Sequence, residues 1–118
     1  MDRSMAHQKI SINYIEFKVK DVAQSKRFYQ SLGWTFTDFS PAYCEFDSGE
    51  IKGGFEQSDC VQSSGGLLIV LYSTQLEQSL MTVKEAGATI VQEIFSFPGG
   101  RRFHFKDLDG YEIAIWSH

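Results

Sequence analysis

The chain carries a loosened copy of its own first helix-like segment, and this repeat constrains the possible fold more than any other feature. Residues 21–33 reappear as residues 75–87, at a constant offset of 54 positions. The identical pairs are Gln24 and Gln78, Ser25 and Ser79, and Gly33 and Gly87. Two copies are too few for a solenoid, which needs about three units to cover successive apolar faces. The two copies must therefore pair with each other and build one shared surface.

The length and composition of the chain predict one compact domain. Its 118 residues are 42% hydrophobic, which suffices for a single core. The formal net charge is −4 and the chain has no basic run, so nucleic acid is not an expected partner. No apolar run approaches the ~20 residues of a membrane span, and residues 1–9 form a polar N-terminal tail without a signal-type segment. We therefore expect a cytoplasmic protein that does not bind a membrane.

The two cysteines do not predict a disulfide framework or a zinc site. Cys44 and Cys60 are far apart in the chain and form no Cys-x-x-Cys motif. Isolated cysteines of this kind usually behave as small, weakly polar side chains. We predict two free thiols, each of them half-buried.

The first half of the chain predicts the order β-α-β-β-β. Hydrophobic residues alternate over residues 10–19, which places Phe17 on one face of a strand and Tyr14 and Glu16 on the other. Asp21 is predicted to cap the following helix through its carboxylate. The remaining strands are predicted at Thr35–Phe39, Tyr43–Asp47 and Ile51–Glu56, within a first module of residues 10–57.

The second half repeats this order after a polar linker, residues 58–66, that contains serine and glycine. The repeated elements are predicted as a strand at Leu67–Tyr72, a helix at Leu76–Ala86 and strands at Thr89–Phe97, Arg102–Lys106 and Glu112–Trp116, within a second module of residues 66–118. In both halves the first strand directs large apolar residues toward its helix, so each helix is expected to pack on its own sheet. The opposite faces of the two sheets are left to form a concave wall.

The turn before the last strand is predicted to be held by its own side chains. Asp107 and Asp109 can accept hydrogen bonds from nearby backbone donors, and Gly110 tolerates a positive φ. A calcium-binding loop would need further oxygen ligands at alternate positions, whereas Ile113 and Ile115 continue a strand pattern. We therefore predict a structural turn.

Two segments and the repeat together carry a resemblance to a known superfamily. The segments are the opening strand and helix, residues 14–33, and the closing hairpin, residues 102–113, which contains Asp-Leu-Asp-Gly. This combination resembles the vicinal oxygen chelate superfamily of glyoxalases, bleomycin-resistance proteins and extradiol dioxygenases, which usually has Asp-Pro-Asp-Gly at that turn. The resemblance implies an α+β fold of two tandem βαβββ modules whose sheets curl into an open, mixed-sheet cleft. It also implies a homodimer, because a partner often completes the cleft.

The resemblance further implies where a divalent metal would be bound. Active members use histidines on the first strand of each module and carboxylates on the last strands. Carried onto this sequence, these positions fall on Tyr14, on Leu68 or Gly66, on Ala114 and on Glu56. Of these residues only Glu56 is a ligand type, and such sites need roughly three or four donors. No metal and no other cofactor are therefore expected.

Alternation along the strands assigns a mostly aromatic set of residues to the concave face. The predicted ligand-binding residues are Tyr14, Glu16, Leu68, Val70, Tyr72, His104, Ala114 and Trp116, with Phe55 or Glu56 added according to the register of the fourth strand. An aromatic wall with few charges suits a flat or amphipathic organic molecule that stacks on Trp116 and Tyr14. The alternative is that these aromatic residues only fill a core or a dimer interface.

The strand before the last turn adds two kinds of candidate. His104 lies between Phe103 and Phe105, which should face the core and leave His104 on the cleft side. It is either solvated or locally hydrogen-bonded, or it is in contact with a ligand. Arg101 and Arg102 follow two glycines and either bind a carboxylate or phosphate or remain solvated. Arg102 is therefore included among the predicted ligand-binding residues.

Three functions from different classes are compatible with the sequence. The preferred one is a metal-independent protein that binds a small organic molecule, of the drug-sequestering type. The second is a lyase or isomerase on a small oxygenated or anionic substrate, either with a displaced metal site or metal-free, with Glu16, Glu56 and His104 as candidate acid–base residues. The third is an interaction module whose cleft a second copy closes, because exposed apolar strands need a cover.

Overall fold

The computed structural model describes residues 12–118, and within them the chain forms eight strands and two helices. In chain order these are β1 (Tyr14–Val19), α1 (Val22–Gln30), β2 (Thr35–Ser40), β3 (Tyr43–Asp47), β4 (Lys52–Gln57), β5 (Ile69–Tyr72), α2 (Leu76–Glu85), β6 (Thr89–Phe97), β7 (Gly100–Lys106) and β8 (Glu112–Ser117). The predicted N-terminal tail, residues 1–9, and the first two residues of the predicted first strand lie outside the described residues.

The strands form two four-stranded sheets with the same topology. The first sheet has the order β1-β4-β3-β2 and the second has the order β5-β8-β7-β6. In each sheet the first strand runs parallel to the fourth, and the other neighbouring strands are antiparallel. This arrangement confirms the predicted α+β fold of two tandem βαβββ modules.

The main differences from the predicted elements concern strand ends. β1 begins at Tyr14, where its pairing with β4 also begins, so the strand is shorter than its sequence pattern. β5 begins at Ile69 rather than at Leu67, because β8, its neighbour in the sheet, starts to pair with it at Ile113. β7 begins at Gly100, two residues before the predicted start, because its hairpin with β6 extends to the turn.

The two helices lie where the repeat predicts them but bury different side chains. Asp21 caps α1 as predicted, because its carboxylate accepts a hydrogen bond from the backbone nitrogen of Gln24 at 3.2 Å. Gln75, at the start of α2, makes no such side-chain cap. The buried residues are Val22, Ser25, Phe28 and Tyr29 in α1, and Leu76 and Val83 in α2. Neither helix of the described chain is long and apolar enough to cross a membrane.

The helices pack on their own sheets, as predicted, and their contacts form one core. The buried apolar residues are Phe17, Val19, Val22, Phe28, Tyr29, Cys44, Phe46, Phe55, Leu76, Val83, Phe103, Phe105, Ile113 and Ile115. Both cysteines are free, but the prediction that each is half-buried is wrong. Cys44 lies on the core-facing side of β3 and is fully buried, whereas Cys60 is exposed in the polar linker.

The turn between β7 and β8 packs against α1, and this contact, which we call the closed junction, joins the two modules. Tyr29 donates a hydrogen bond to Asp107 at 2.7 Å, and Ser25 donates to Asp109 at 3.1 Å. The backbone nitrogen of Lys20 also donates to Asp109, at 2.7 Å. Burial raises the pKa of the Asp107 carboxyl and that of the Tyr29 hydroxyl. The junction is therefore a buried polar contact with several hydrogen bonds.

The prediction that both aspartates accept hydrogen bonds from nearby backbone donors is right for Asp107 and wrong for Asp109. Asp107 accepts hydrogen bonds from the backbone nitrogens of Asp109 and Tyr111, at 3.0 and 2.9 Å, and Gly110 has a φ of +93°. The carboxylate of Asp109 instead bonds to donors of the first module. Local sequence does not reveal a donor that lies 84 positions away in the chain.

Candidate functional site

The sheet faces turned away from the helices carry most of the predicted site residues. In the first sheet the register of β1 and β4 places Lys18 beside Glu56, on the face that also carries Tyr14. Phe55 is only 1% exposed and faces the core. Of the two candidates on β4, Phe55 and Glu56, the register therefore places Glu56 on this face. We call this surface the polar face and define it by Tyr14, Glu16, Lys18, Tyr43 and Glu56.

On the polar face, hydrogen bonds link Tyr14, Tyr43 and Glu16 in one chain. The two hydroxyl oxygens are 2.5 Å apart, and Tyr43 donates to Glu16 at 2.9 Å. Because the single hydroxyl proton of Tyr43 is given to Glu16, Tyr14 is the donor in the hydroxyl pair. Burial and these hydrogen bonds raise the pKa of Tyr43. Beside this chain, Lys18 and Glu56 form an ion pair at 2.9 Å.

Gly54 makes room for the two hydroxyl groups on β4. A Cβ atom at this position would lie 1.9 Å from the hydroxyl oxygen of Tyr43 and 2.8 Å from that of Tyr14. No other residue type fits without moving both rings. The sequence prediction missed Tyr43 and Gly54, although a glycine inside a strand is a signal for close approach of another group.

The second sheet presents a mostly aromatic surface, the aromatic face, defined by Tyr72, Phe95, Phe97, Arg102, His104 and Trp116. The ring of Trp116 lies 5.0 Å from that of Tyr72 and 6.2 Å from that of Phe97, centroid to centroid. The register of β7 and β8 places Trp116 beside Arg102. The prediction missed Phe95 and Phe97, although they alternate along β6 with Ile94, which packs against the core.

The two neighbouring arginines have different environments. Arg101 forms two hydrogen bonds to the carboxylate of Glu77, the longer at 3.2 Å, and this contact lowers the pKa of Glu77. Arg102 instead lies over the rings of Phe95 and Phe97, with its guanidinium carbon 5.5 and 5.4 Å from their centroids. The Nε atom of Arg102 is buried and has no hydrogen-bond partner within residues 12–118. The structure thus separates a paired surface arginine from one that retains a buried donor.

His104 lies on the aromatic face, as the position of its neighbours predicts. Phe103 and Phe105 are fully buried, and the Nδ1 atom of His104 is 2.8 Å from the carboxylate of Glu112. The ring is also 5.9 Å from that of Phe95. His104 is therefore locally hydrogen-bonded, and a carboxylate orients its ring.

The other predicted ligand-binding residues of the second module differ in accessibility. Leu68 precedes β5 and is 39% exposed, while Val70 and Tyr72 on β5 are 45% and 50% exposed. Ala114 lies between His104 and Val70 in the neighbouring strands and is fully buried. A ligand on this sheet can reach Val70 and Tyr72 but not the side chain of Ala114.

The residues at the family's metal positions do not fit a divalent metal. Leu68 and Ala114 have no donor atoms, the hydroxyl of Tyr14 is bonded to Tyr43, and Glu56 is paired with Lys18. Within residues 12–118 no three side chains of His, Cys, Asp or Glu come together in a group that could hold a metal ion. No chemistry that depends on such a metal can be assigned to these side chains.

Two cavities lie where the modules meet. The larger has a volume of about 660 Å³, and its lining includes Tyr72 at the end of β5. The smaller has a volume of about 240 Å³, and its lining includes Glu16 and Glu112. Neither cavity is lined by Arg102 or Trp116, and both of these residues are partly buried.

Comparison with protein families gives a match that covers nearly the whole chain. The model described as "Glyoxalase/Bleomycin resistance protein/Dioxygenase superfamily" matches residues 11–115. No curated protein matches the chain.

Solved structures with the same fold include three from different bacteria. Hypothetical protein SA1046 from S. aureus is 21% identical, with 98% of this chain and 100% of that chain covered and a TM-score of 0.83. A glyoxalase-related enzyme from Fulvimarina pelagi is 17% identical, with 93% and 89% covered and a TM-score of 0.80. The fosfomycin resistance protein FosX from Mesorhizobium loti is 14% identical, with 94% of each chain covered and a TM-score of 0.79. At these identities the likeness concerns the fold.

Proposed function

The chain belongs to the glyoxalase/bleomycin resistance protein/dioxygenase superfamily, and from this premise we propose that it binds a small planar organic anion on its aromatic face. The proposed activity is binding, of the drug-sequestering type, and it uses no divalent metal. Recognition comes from Arg102 and from the rings around it, because Leu68 and Ala114 have no donor atoms and Glu56 is paired with Lys18.

The observation that carries the proposal is the buried Nε atom of Arg102, which has no hydrogen-bond partner among the described residues. Leaving a buried donor unpaired costs about 1–3 kcal/mol, and more when the group is charged. The rings of Phe95 and Phe97 stabilise the cation but offer no hydrogen-bond acceptor. A carboxylate or another oxyanion would supply acceptors to the guanidinium in a bidentate geometry.

The neighbouring residues determine which anion fits. Among the described residues, ion pairs involve Arg101 but not Arg102, so Arg102 is the arginine available to a ligand. The aromatic rings of Tyr72, Phe97 and Trp116 favour a flat body, since offset or edge contacts between rings each contribute about 0.5–1.5 kcal/mol. A planar ring system that carries one carboxylate satisfies both requirements.

The test uses two probes with one ring system, 2-naphthoate and its neutral amide, with binding followed by calorimetry and by the fluorescence of Trp116. Arg102→Ala is expected to weaken naphthoate binding by at least about tenfold, which corresponds to the loss of one charge-assisted hydrogen bond. Binding of the amide should not change. Equal losses for the two probes would overturn the proposal.

The matched control is Arg101→Ala, which removes the adjacent positive charge. Because Arg101 is already bonded to Glu77, this variant should bind naphthoate as the natural protein does. Elemental analysis of the same purified sample should find no stoichiometric divalent metal. A bound metal whose removal abolished naphthoate binding would contradict the metal-free part of the proposal.

The second candidate function is a metal-free lyase or isomerase, and the pair of His104 and Glu112 favours it. A carboxylate that holds Nδ1 of a histidine orients the ring and leaves Nε2 for proton transfer. The other two acid–base candidates already have partners, Glu16 with Tyr43 and Glu56 with Lys18. Deuterium incorporation into 2-oxobutanoate, followed by NMR, tests this function. Turnover that His104→Gln abolishes would support it, and an absence of turnover would leave binding as the function.

We also propose that a second copy of the chain covers the apolar side chains of β5. Val70 and Tyr72 are about half exposed on β5, which lies at an edge of its sheet. Exposed apolar edge strands readily pair with another chain. Light scattering should find a homodimer for the natural protein and a monomer for Val70→Lys. A monomeric natural protein at all accessible concentrations would refute the homodimer.

A further inference from the structure

We infer that the larger cavity is a second binding site, for a neutral molecule with an apolar body, which shares Tyr72 with the aromatic face but not Arg102 or Trp116. Its volume of about 660 Å³ falls within the range of about 300–1,000 Å³ that is common for small-molecule sites. Residues of both modules line it, from β1 and the end of α1 to β5 and α2. We call it the junction cavity.

The junction cavity lies beside α2, at a position where the two copies of the repeat differ. Phe28 and Tyr29 of α1 correspond to Thr82 and Val83 of α2, 54 positions later. In the closed junction both rings are 2% exposed, and Phe28 packs against Phe105 of the second module. Thr82 lines the junction cavity and has no ring to fill it. Of the two aromatic side chains that α2 lacks, the one replaced by Thr82 is therefore the one that leaves space in the cavity.

The turn between β3 and β4, which lies opposite α2, also leaves space that its counterpart, the turn between β7 and β8, fills in the closed junction. The turn between β3 and β4 contributes Ser48 and Glu50 to the cavity wall, whereas the turn between β7 and β8 directs Asp107 and Asp109 to α1. Ser48 bonds within its own turn, because its hydroxyl donates to the carbonyl of Ile51 at 2.6 Å. Among the described residues no side-chain hydrogen bond joins this turn to α2, so the space between them stays open.

The lining of the junction cavity specifies the chemical class of its ligand. One side is apolar and is built by Ile15, Leu32, Trp34, Phe46, Ile69 and Leu71. The side next to α2 carries uncharged hydroxyl and amide groups, those of Gln75, Gln78, Ser79 and Thr82. Among the described lining residues the one charged side chain is that of Glu50, which repels an anion. The cavity therefore selects a neutral molecule with an apolar body and one hydrogen-bonding end directed at α2.

The test exploits the fact that each site has its own tryptophan. Trp34 lines the junction cavity, and Trp116 lies on the aromatic face. In a Trp116→Phe variant, the neutral probe N-phenyl-1-naphthylamine should quench the emission of Trp34 in a saturable manner. The sulfonated relative 8-anilinonaphthalene-1-sulfonate has the same rings and an added negative charge, and it should quench Trp34 much less.

Thr82→Phe restores the residue of the first copy and should fill the cavity. In the Trp116→Phe background it is expected to weaken binding of N-phenyl-1-naphthylamine by at least about tenfold, because the new ring occupies the volume that the probe needs. Thr82→Val keeps the volume of threonine and should bind the probe as the parent does. Thr82→Leu replaces Thr82→Phe if the larger ring prevents folding.

This inference and the proposed function fail independently. Arg102→Ala should leave binding of N-phenyl-1-naphthylamine unchanged, since Arg102 does not line the cavity. If the probe does not quench Trp34, or if Thr82→Phe and Thr82→Leu fold but leave its affinity unchanged, the junction cavity is not its binding site. Either result would overturn the inference while leaving the aromatic face untouched.

Discussion

The closed junction and the junction cavity are two versions of one structural position, and they differ in what fills them. At the closed junction, Ser25 and Tyr29 of α1 meet two aspartates of the β7–β8 turn. At the junction cavity, Ser79 of α2 bonds to Ser73 of its own module, and Thr82 borders open space. The two junctions thus have the same backbone arrangement but different side chains. The closed junction is filled and contributes to stability, whereas the other position leaves a cavity.

The two sheet faces differ in a similar way. Hydrogen bonds and one ion pair already join the polar side chains of the first sheet, while the aromatic face retains an unpaired donor on Arg102. A ligand adds little hydrogen-bond stabilisation to a surface whose polar groups are already paired. It adds much more where a buried donor has no partner. The second module is therefore the better place for a ligand, although both modules have the same topology.

The largest expected effect compares the same repeat position in the two helices. Tyr29→Ala should lower the free energy of unfolding by about 3–5 kcal/mol, the usual cost of truncating a buried aromatic residue. Val83→Ala, at the equivalent position of α2, should cost about 1–3 kcal/mol, because it removes fewer buried atoms. Urea unfolding of both variants measures the difference. Equal losses would contradict the view that the closed junction dominates stability.

A smaller effect is expected for the serine that both copies share. Ser25→Ala removes a buried donor from Asp109 and should cost about 1–3 kcal/mol. Ser79→Ala removes a partly buried hydroxyl pair with Ser73 and should cost about 0.5–1 kcal/mol. Since alanine favours both helices equally, the difference between the two variants reports the junctions alone. A larger loss for Ser79→Ala would reverse the comparison.

The smallest expected effect is a pH dependence of the closed junction. Burial holds the pKa of Asp107 above its unfolded value, so ionisation costs more in the folded protein than in the unfolded chain. The stability contributed by this group is complete below the unfolded pKa and is lost as the pH rises through the folded pKa. The natural protein should therefore lose stability relative to Asp107→Asn as the pH rises over that interval. A difference between the two proteins that does not vary with pH would contradict this assignment.

Much of the fold was predictable because the repeat and the alternation are local signals. The helix positions, the cap at Asp21 and the core-facing side of Phe103 and Phe105 all follow from residue spacing. Phe95 and Phe97 were missed, although alternation from the core-packed Ile90 and Ile94 places both on the opposite face of β6. The sequence could not predict which of Arg101 and Arg102 forms an ion pair, since Glu77, the partner of Arg101, lies 24 positions away from it.

The sequence by itself determined the two-module architecture, because hydrophobic spacing and turn residues act over a few neighbouring positions. It also determined that two of the family's metal positions, Leu68 and Ala114, carry side chains without donor atoms. Only the tertiary structure decided that Asp109 binds the first module, that Arg102 keeps a buried unpaired donor, and that a cavity separates α2 from the opposite turn. Each of these depends on groups far apart in the chain, and their distances are fixed only when both modules pack together.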